Sequence, residues 1–336
     1  MEDLPLVSVL LPVYNGRDYL AESIKSILKQ EYRNLEIIII NDGSTDDSQQ
    51  FIETFNDTRI KCIQQKNQGL AATLNHGITL ASGKYIARQD QDDLSHPNRI
   101  LSQLKYMEAH PECVLLGTWA QIMETDKLAN RFHCHPIDEL TLRYQLLFNN
   151  PFVHSSVLLR RSALLQVGGY TTDPERQPPE DFELWSRLSR IGSIANIGEV
   201  LLTYREVPGS MSRAGPTPFK QRLIKICARN IAAATGLPSD DSSIQSIVKL
   251  THGDLIDLHN KPDFIRMEQV LLMAIDGLEN DDALITLRED AANRVEVMQK
   301  AWMVRNTPLI NLFYKVRVRN IVKKVLRLMK GIRKTK

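Results

Sequence analysis

Residues 85–93 read YIARQDQDD, a short apolar strand running into three carboxylates, Asp90, Asp92 and Asp93. Carboxylates crowded at a strand end repel one another unless a cation lies between them, and oxygen ligands of this kind suit a divalent metal. Asp90 and Asp92 are two positions apart, so an extended backbone points them to the same side. That spacing fits a Mg²⁺ or Mn²⁺ ion bridging the protein and a diphosphate. The competing expectation is a solvated acidic turn that caps the helix following Pro97. A second acidic pair, Glu180-Asp181, opens the helix-patterned stretch EDFELWSRLSR. His133-Cys134-His135 has metal-ligand residue types, but an extended chain places Cys134 opposite the two histidines, which favours an incidental grouping.

The elements that must position these groups follow from periodicity. Residues 7–12, 35–40, 60–64 and 85–88 are strand-like, and LEIIII at 35–40 is too continuously apolar to have a wet face. Helical spacing covers 18–30 and 69–80, and a third helix runs from the Ser44/Thr45 cap to about residue 55. The order is β-α-β-α-β-α-β, which predicts an α/β fold with a mostly parallel sheet. Ligands of such sheets bind beyond the C-terminal strand ends. Tyr14-Asn15, Asp42-Gly43-Ser44 and residues 90–93 all fall at that edge. Neither GxGxxG nor GxxxxGK[ST] occurs, which argues against a dinucleotide dehydrogenase and a P-loop enzyme. Further strands are expected at 114–118, 153–160 and 197–204, with specificity loops at 123–136 and 171–179. After a linker at 207–218, residues 219–235, 242–252, 254–259, 262–278 and 283–305 read as helices without evident chemistry.

The chain has 336 residues, 43% of them apolar and 24% charged, which is ordinary for a soluble protein with a sizeable core. Its four cysteines are scattered with no CxxC pair, as expected in a reducing compartment. The acidic head and first apolar run read as a strand, not as a signal peptide. No apolar run approaches the roughly 20 residues of a membrane span. The net charge of +2 hides ten Lys or Arg and no acid between Lys315 and Lys336, leaving −8 on residues 1–314. Within 309–332, apolar residues such as Leu312, Val316, Val325 and Ile332 recur at helical spacing, with lysines and arginines between them. This pattern predicts a helix lying on an anionic membrane surface. A partner helix or a nucleic-acid tail are the alternatives, and the deep apolar stripe argues against nucleic acid.

Six segments occur in one order: VSVLLPVYNG, EIIIINDGSTDDS, NQGLAATLNHG, GKYIARQDQDDLSHPNRI, HSSVLLRRSALLQVGGY and EDFELWSRL. Together, over residues 6–204, they resemble the inverting glycosyltransferases of family 2, which have the GT-A fold. The resemblance does not reach the helical region or the tail. It implies that Pro12, Tyr14, Asn15 and Asp42 hold the nucleotide, with Asp42 at the base edge. Ser44 and Asp46 shape the turn. Asn67, Gly69 and Asn75 match a segment lining the nucleotide pocket, with capping and close packing as their structural alternative. The DxD of the family falls on Asp90 and Asp92. Asp92 is then the direct metal ligand, Asp90 lies near the ribose or a metal-bound water, Arg88 and Asp93 complete the motif, and Asp93 is the one most readily given up to a capping role. Gln89 and Gln91 stand where the family's RMDADD has apolar or small residues, at positions that need not bind.

By the same resemblance Asp181 is the general base, and Glu180 contacts the acceptor or supports the loop. His154 faces the diphosphate or acceptor, or is a satisfied core histidine. Trp185 walls the acceptor pocket or belongs to the core. The chemistry suits these residue types. A divalent metal stabilises charge building on the departing diphosphate, and a carboxylate takes the proton from an attacking hydroxyl. Attack on one face as the other departs inverts the anomeric centre.

The expected protein is therefore a metal-dependent (Mn²⁺ or Mg²⁺) GT-A enzyme. It would transfer sugar from a nucleotide sugar, a UDP-sugar in the first place, to a saccharide or lipid-linked glycan at the cytoplasmic face of the plasma membrane. The expected parts are a catalytic domain at 1–215, a helical extension at 216–305 and a basic amphipathic tail at 306–336. Two rivals are a sugar-phosphate nucleotidyltransferase and a non-catalytic membrane-associated scaffold. The first should have a basic, Gly-rich triphosphate loop where VYNGRDYL stands, and the second should have lost the DxD or ED carboxylates.

Overall fold

The computed structural model describes residues 5–124, 126–207, 218–255, 258, 260–278 and 283–306. The basic segment 309–332 and most of the linker at 207–218 lie outside the described residues. The chain divides into two compact units, residues 1–226 and 227–336.

The first unit is built on a nine-stranded sheet. Its first half contains β1 (Val7–Val13), β2 (Leu35–Asp42), β3 (Ile60–Gln65) and β4 (Tyr85–Arg88), all parallel, in the order β3-β2-β1-β4. Every residue of β2 is buried, as the unbroken apolar run required. The helices α1 (Arg17–Leu28), α2 (Ser48–Ile52) and α3 (Leu70–Leu80) make the crossovers. Leu20, Ile24 and Ile27 of α1 are fully buried against the sheet core.

Beyond β4 the sheet becomes mixed. The short β8 (Leu158–Arg160) pairs antiparallel with β4 and with β6 (Cys113–Glu124). The long β9 (Ser193–Glu206) runs parallel to β6 and antiparallel to the two-residue β5 (Leu94–Ser95). The strand expected at 153–160 is divided. Residues His154–Ser156 form a 3₁₀ turn, and only Leu158–Arg160 join the sheet. Here the Ser156 backbone and hydroxyl both donate to the Val153 carbonyl, and such local bonds compete with a ladder. The loop expected at 123–136 is largely a hairpin, with β6 continuing to Glu124 and β7 (Lys127–His133) pairing back onto it. Its His133 and His135 rings stack at 6.1 Å, on the same side as their i, i+2 spacing implied.

Four further helices belong to this unit: α4 (Arg99–Ala109), α5 (Glu139–Gln145), α6 (Arg161–Gln166) and α7 (Glu180–Leu188). In the second unit, after α8 (Phe219–Thr235), the helices α9 (Ser242–Thr251), α10 (Phe264–Asp276) and α11 (Ala283–Asn306) pack on one another. Asp241 and Asp263 cap α9 and α10 by accepting backbone N–H groups. The helix expected at 254–259 is not formed at Asp254, Leu255 or Leu258. Among the described residues, no helix is long and apolar enough to cross a membrane.

Candidate active site

The C-terminal ends of β1, β2 and β4 meet in interlocked turns. Asn15 takes a left-handed conformation, φ 48°, which a short polar side chain tolerates. Its Oδ1 accepts from the Thr45 amide at 2.8 Å, and its own amide donates to Ser44 Oγ at 3.0 Å. Asp46 accepts from the amides of Arg17 and Ser48, so Ser44 and Asp46 do shape the turn. Tyr14 is about half exposed at the mouth, and Pro12 is partly buried beneath it. Gln91 braces this turn from the other side, accepting from the Tyr14 amide at 2.9 Å and donating to its carbonyl at 3.2 Å.

Asp42 is buried, and its carboxylate accepts from the amides of Gln68 and Gly69 at 2.8 and 2.9 Å and from Gln65 Nε2 at 2.8 Å. It therefore anchors the segment carrying Asn67 and Gly69, a task beyond the base-edge role expected of it. Gly43, at φ +74°, lets that segment close in: a Cβ there would lie 2.8 Å from the Asn67 amide nitrogen. Gly69, at φ 85°, forms the N-cap of α3, and Asn67 is exposed. Asn75 takes the packing alternative. Its amide donates to the Tyr170 carbonyl at 2.7 Å and accepts from the Tyr170 amide at 2.8 Å, pinning the Gly168-Gly169-Tyr170 turn.

The acidic loop after β4 is not a solvated cap. The N-cap of α4 is Asn98, which makes no side-chain capping bond. Arg88 is buried, with Nη2 2.5 Å from Asp90 Oδ1. Asp93 is buried and accepts from Ser155 Oγ and, at 2.8 Å, from the Arg205 amide. Burial and the charges of Asp90 and Asp92 raise its carboxyl well above the usual range. The expected capping role for Asp93 is thus replaced by a tie between this loop, the 3₁₀ turn and β9. Gln89, buried, accepts from Ser95 Oγ at 2.6 Å and donates to the Asp93 carbonyl at 2.7 Å. Both glutamines that depart from the family pattern are therefore turn braces.

Asp92 is the remaining carboxylate of this loop. Among the described residues no other side chain donates a hydrogen bond to its carboxylate. Burial first, then the Asp90 charge, pushes it up to about 6. A carboxylate held in this way gains by meeting a hard cation. No cluster of three or more metal-ligating side chains occurs among the described residues. The donor set suits a divalent ion that takes one or two carboxylates from the protein and its other ligands from phosphate and water, as Mg²⁺ commonly does.

Glu180 and Asp181 begin α7, where the helix N-terminus favours negative charge. Asp181 accepts from Asn150 Nδ2 and from the Phe182 amide, each at 2.7 Å. Burial pushes Asp181 up to about 6, and burial together with the Asp181 charge pushes Glu180 up to about 7. The Asp90 charge raises both, so the two acidic motifs share one electrostatic site although 90 residues separate them in sequence. His154 Nε2 lies 2.9 Å from the Tyr170 hydroxyl, and burial followed by the Arg88 charge keeps the imidazole well below its ordinary value. It is a neutral, partnered histidine facing this cluster. Trp185 is 0% exposed and packs against the rings of Phe152, His154 and Tyr170. It lies in the core behind the site, the second of the two placements expected for it.

Sequence reasoning missed Asn150, Tyr170 and Arg205 and gave no binding task to Gln89 or Gln91. The two glutamines were visible as departures from RMDADD. Asn150 and Arg205 have no local pattern that singles them out.

The glycosyl transferase family 2 model matches residues 8–168. A relative from Haemophilus influenzae, named as an uncharacterized glycosyltransferase, is 36% identical over 78% of this chain and 84% of its own length. Among solved structures, S. aureus TarS 1-349 in complex with UDP-GlcNAc superposes with a TM-score of 0.59 at 18% identity, covering 88% of this chain and 91% of that one. The mannosyltransferase PcManGT from Pyrobaculum calidifontis, solved with GDP-Man and Mn²⁺, has a TM-score of 0.51 at 15% identity over 97% of this chain and 83% of its own. These likenesses establish the GT-A architecture.

Proposed function

Because this chain belongs to glycosyl transferase family 2, we propose that it transfers sugar, with inversion, from a UDP-sugar to a hydroxyl of a saccharide or lipid-linked glycan. The observation that carries the reading is the convergence of the Asp90–Asp92 pair and the Glu180–Asp181 pair, with the Asp90 charge acting on Asp92, Glu180 and Asp181 alike. Transfer needs both kinds of site at once, a place for a diphosphate and a base for the acceptor. The solved neighbours hold UDP-GlcNAc in one case and GDP-Man with Mn²⁺ in the other, which supports a nucleotide-sugar donor.

In this reading Tyr14, Asn15 and the Asp42-anchored segment receive the nucleotide. Asp92, with Asp90 beside it, would hold Mn²⁺ or Mg²⁺, which when bound supplies positive charge to the leaving diphosphate. Arg88 sets the Asp90 carboxylate. Asn150 and the Phe182 amide orient Asp181, which accepts the proton of the acceptor hydroxyl as the hydroxyl attacks. No covalent enzyme intermediate is needed, and single displacement inverts the anomeric carbon. A panel of nucleotide sugars tests this, scored for binding and slow hydrolysis with Mn²⁺ and without acceptor. At least one sugar should bind and hydrolyse, and EDTA should stop the hydrolysis. Failure of all of them to bind, or hydrolysis indifferent to EDTA, would count against the reading.

The acceptor is proposed to be met at the inner face of the plasma membrane, through the basic stripe of residues 309–332. Each basic residue near an anionic surface adds roughly 1 kcal/mol. The full chain should therefore co-sediment with vesicles containing phosphatidylglycerol, and a chain truncated after Thr307 should remain in the supernatant. Equal sedimentation of the two rejects the membrane role.

A further inference from the structure

We infer that Arg205 is a positioning residue for the metal-binding loop, locking the Asp92 backbone so that the Asp92 carboxylate is presented in one orientation. The inference rests on the reading of Asp92 as the metal ligand given above.

Arg205 is the penultimate residue of β9, and its side chain is 1% exposed. Its backbone amide donates to Asp93 Oδ1 at 2.8 Å, and its Nε donates to the Asp92 carbonyl at 3.1 Å. The rest of the guanidinium reaches outward. Nη2 lies 2.5 Å from Glu22 Oε2 on α1, and Nη1 lies 2.6 Å from Asp126 Oδ1 in the β6–β7 turn. Its planar face lies 4.6 Å from the centre of the Tyr19 ring. One buried cation thus joins three separate elements at the peptide that carries Asp92.

Stability alone is a weak account of this arrangement. The partners Glu22 and Asp126 are 61% and 78% exposed, and ion pairs with such exposed carboxylates contribute little. Burying a guanidinium to reach them is costly. What the burial does achieve is contact with the Asp92 carbonyl. The Asp92 carboxylate has no hydrogen bond from another side chain among the described residues, so its direction follows from its own backbone. The loop is fixed on both sides of it: the Gln91 side chain is tied to the Tyr14 turn, the Asp93 carbonyl to Gln89 and the Asp93 carboxylate to Ser155 and the Arg205 amide, and the Asp92 carbonyl itself accepts from the Arg205 side chain. Residues that orient a metal ligand in this way are typically worth about 10–100-fold in metal affinity. Lysine cannot substitute, because it lacks the planar fork that serves three acceptors at once.

The test uses the full chain with Mn²⁺ and UDP as probes. Mn²⁺ binding is followed by electron paramagnetic resonance, and folding by circular dichroism. Arg205→Lys should remain folded and bind Mn²⁺ at least about tenfold more weakly than wild type. Because Arg205→Lys alters a buried site, the double variant Glu22→Gln/Asp126→Asn provides a second route. It frees the guanidinium by changing only two exposed partners and should weaken Mn²⁺ binding in the same direction, by a smaller factor. If the folded variants bind Mn²⁺ within about twofold of a wild type that binds it, the positioning role is overturned, since outer-shell partners normally exceed that. If the wild-type chain itself binds no Mn²⁺ with UDP present, the ligand reading of Asp92 fails, and the role of Arg205 fails with it.

Discussion

Replacing Asp181 with asparagine should lower sugar transfer by about 10²–10⁴-fold while leaving donor binding intact, the range expected for loss of a general base. In free energy this is about 3–5 kcal/mol of transition-state stabilisation. The substitution keeps the side-chain shape, so α7 and its contacts should persist. The Asn150 amide, which donates to Asp181 Oδ2 at 2.7 Å, can be met by the asparagine oxygen, while the bond that Oδ1 accepts from the Phe182 amide is given up. What disappears with that one bond is the capacity to take a proton. The pH dependence gives a second reading. Burial pushes Asp181 up to about 6, and burial with the Asp181 charge pushes Glu180 up to about 7. The two titrate as a pair, so the apparent values belong to both. A base works in its ionised form. Transfer by the wild type should therefore fall as pH drops through that window, and the variant should lose this limb. Initial rates across about pH 5–8, with calorimetric UDP binding alongside, decide the matter. Transfer near the wild-type rate would remove Asp181 as the base.

Asp92→Asn should act in the opposite sense on function and on stability. Turnover of the donor should fall on the order of a hundredfold or more, since a metal on a leaving diphosphate supplies several kcal/mol. The metal-free fold, by contrast, should be no less stable. Burial and the Asp90 charge push Asp92 from 3.8 up to about 6. Between those values the folded chain holds a proton that the unfolded chain releases. Stability from this group is therefore present at low pH and is lost as pH rises through about 6. Asparagine removes that loss. Urea unfolding in EDTA at neutral pH should show the variant at least equal to wild type, and near-equality at low pH. A variant that retains wild-type turnover with the same Mn²⁺ requirement would dismiss Asp92 as the ligand.

These two outcomes separate a working site from a scaffold that retains the family's residues. A scaffold would tolerate both substitutions without loss. A chain that fails only with Asp181→Asn would still bind and hydrolyse donor, which places the defect at the acceptor step.

Much of this was legible along the chain. LEIIII could only be a strand covered on both faces, and the alternation of strands and helices over the first ninety residues led to the parallel half of the sheet. Local periodicity reports local structure because burial repeats every two or every 3.6 residues. The DxD and ED pairs were also legible, because like charges placed together need a chemical reason. What tertiary structure alone decided were the partners. Arg205 meets Asp93, Asp126 and Glu22 across 112, 79 and 183 positions. Asn75 clamps Tyr170 across 95, and Asp42 reaches the Gly69 amide across 27. Such bonds join side chains to backbone groups or to other side chains whose positions depend on the completed sheet, and they leave no period in the sequence. For the same reason Trp185 could be placed on α7 but not assigned to pocket or core, and the acidic loop could be read as a cap until Asp93 was seen to be buried and Asp90 to be paired with Arg88. The sequence by itself determined where the acidic pairs stand along the chain; the fold determined which residues hold those charges in place.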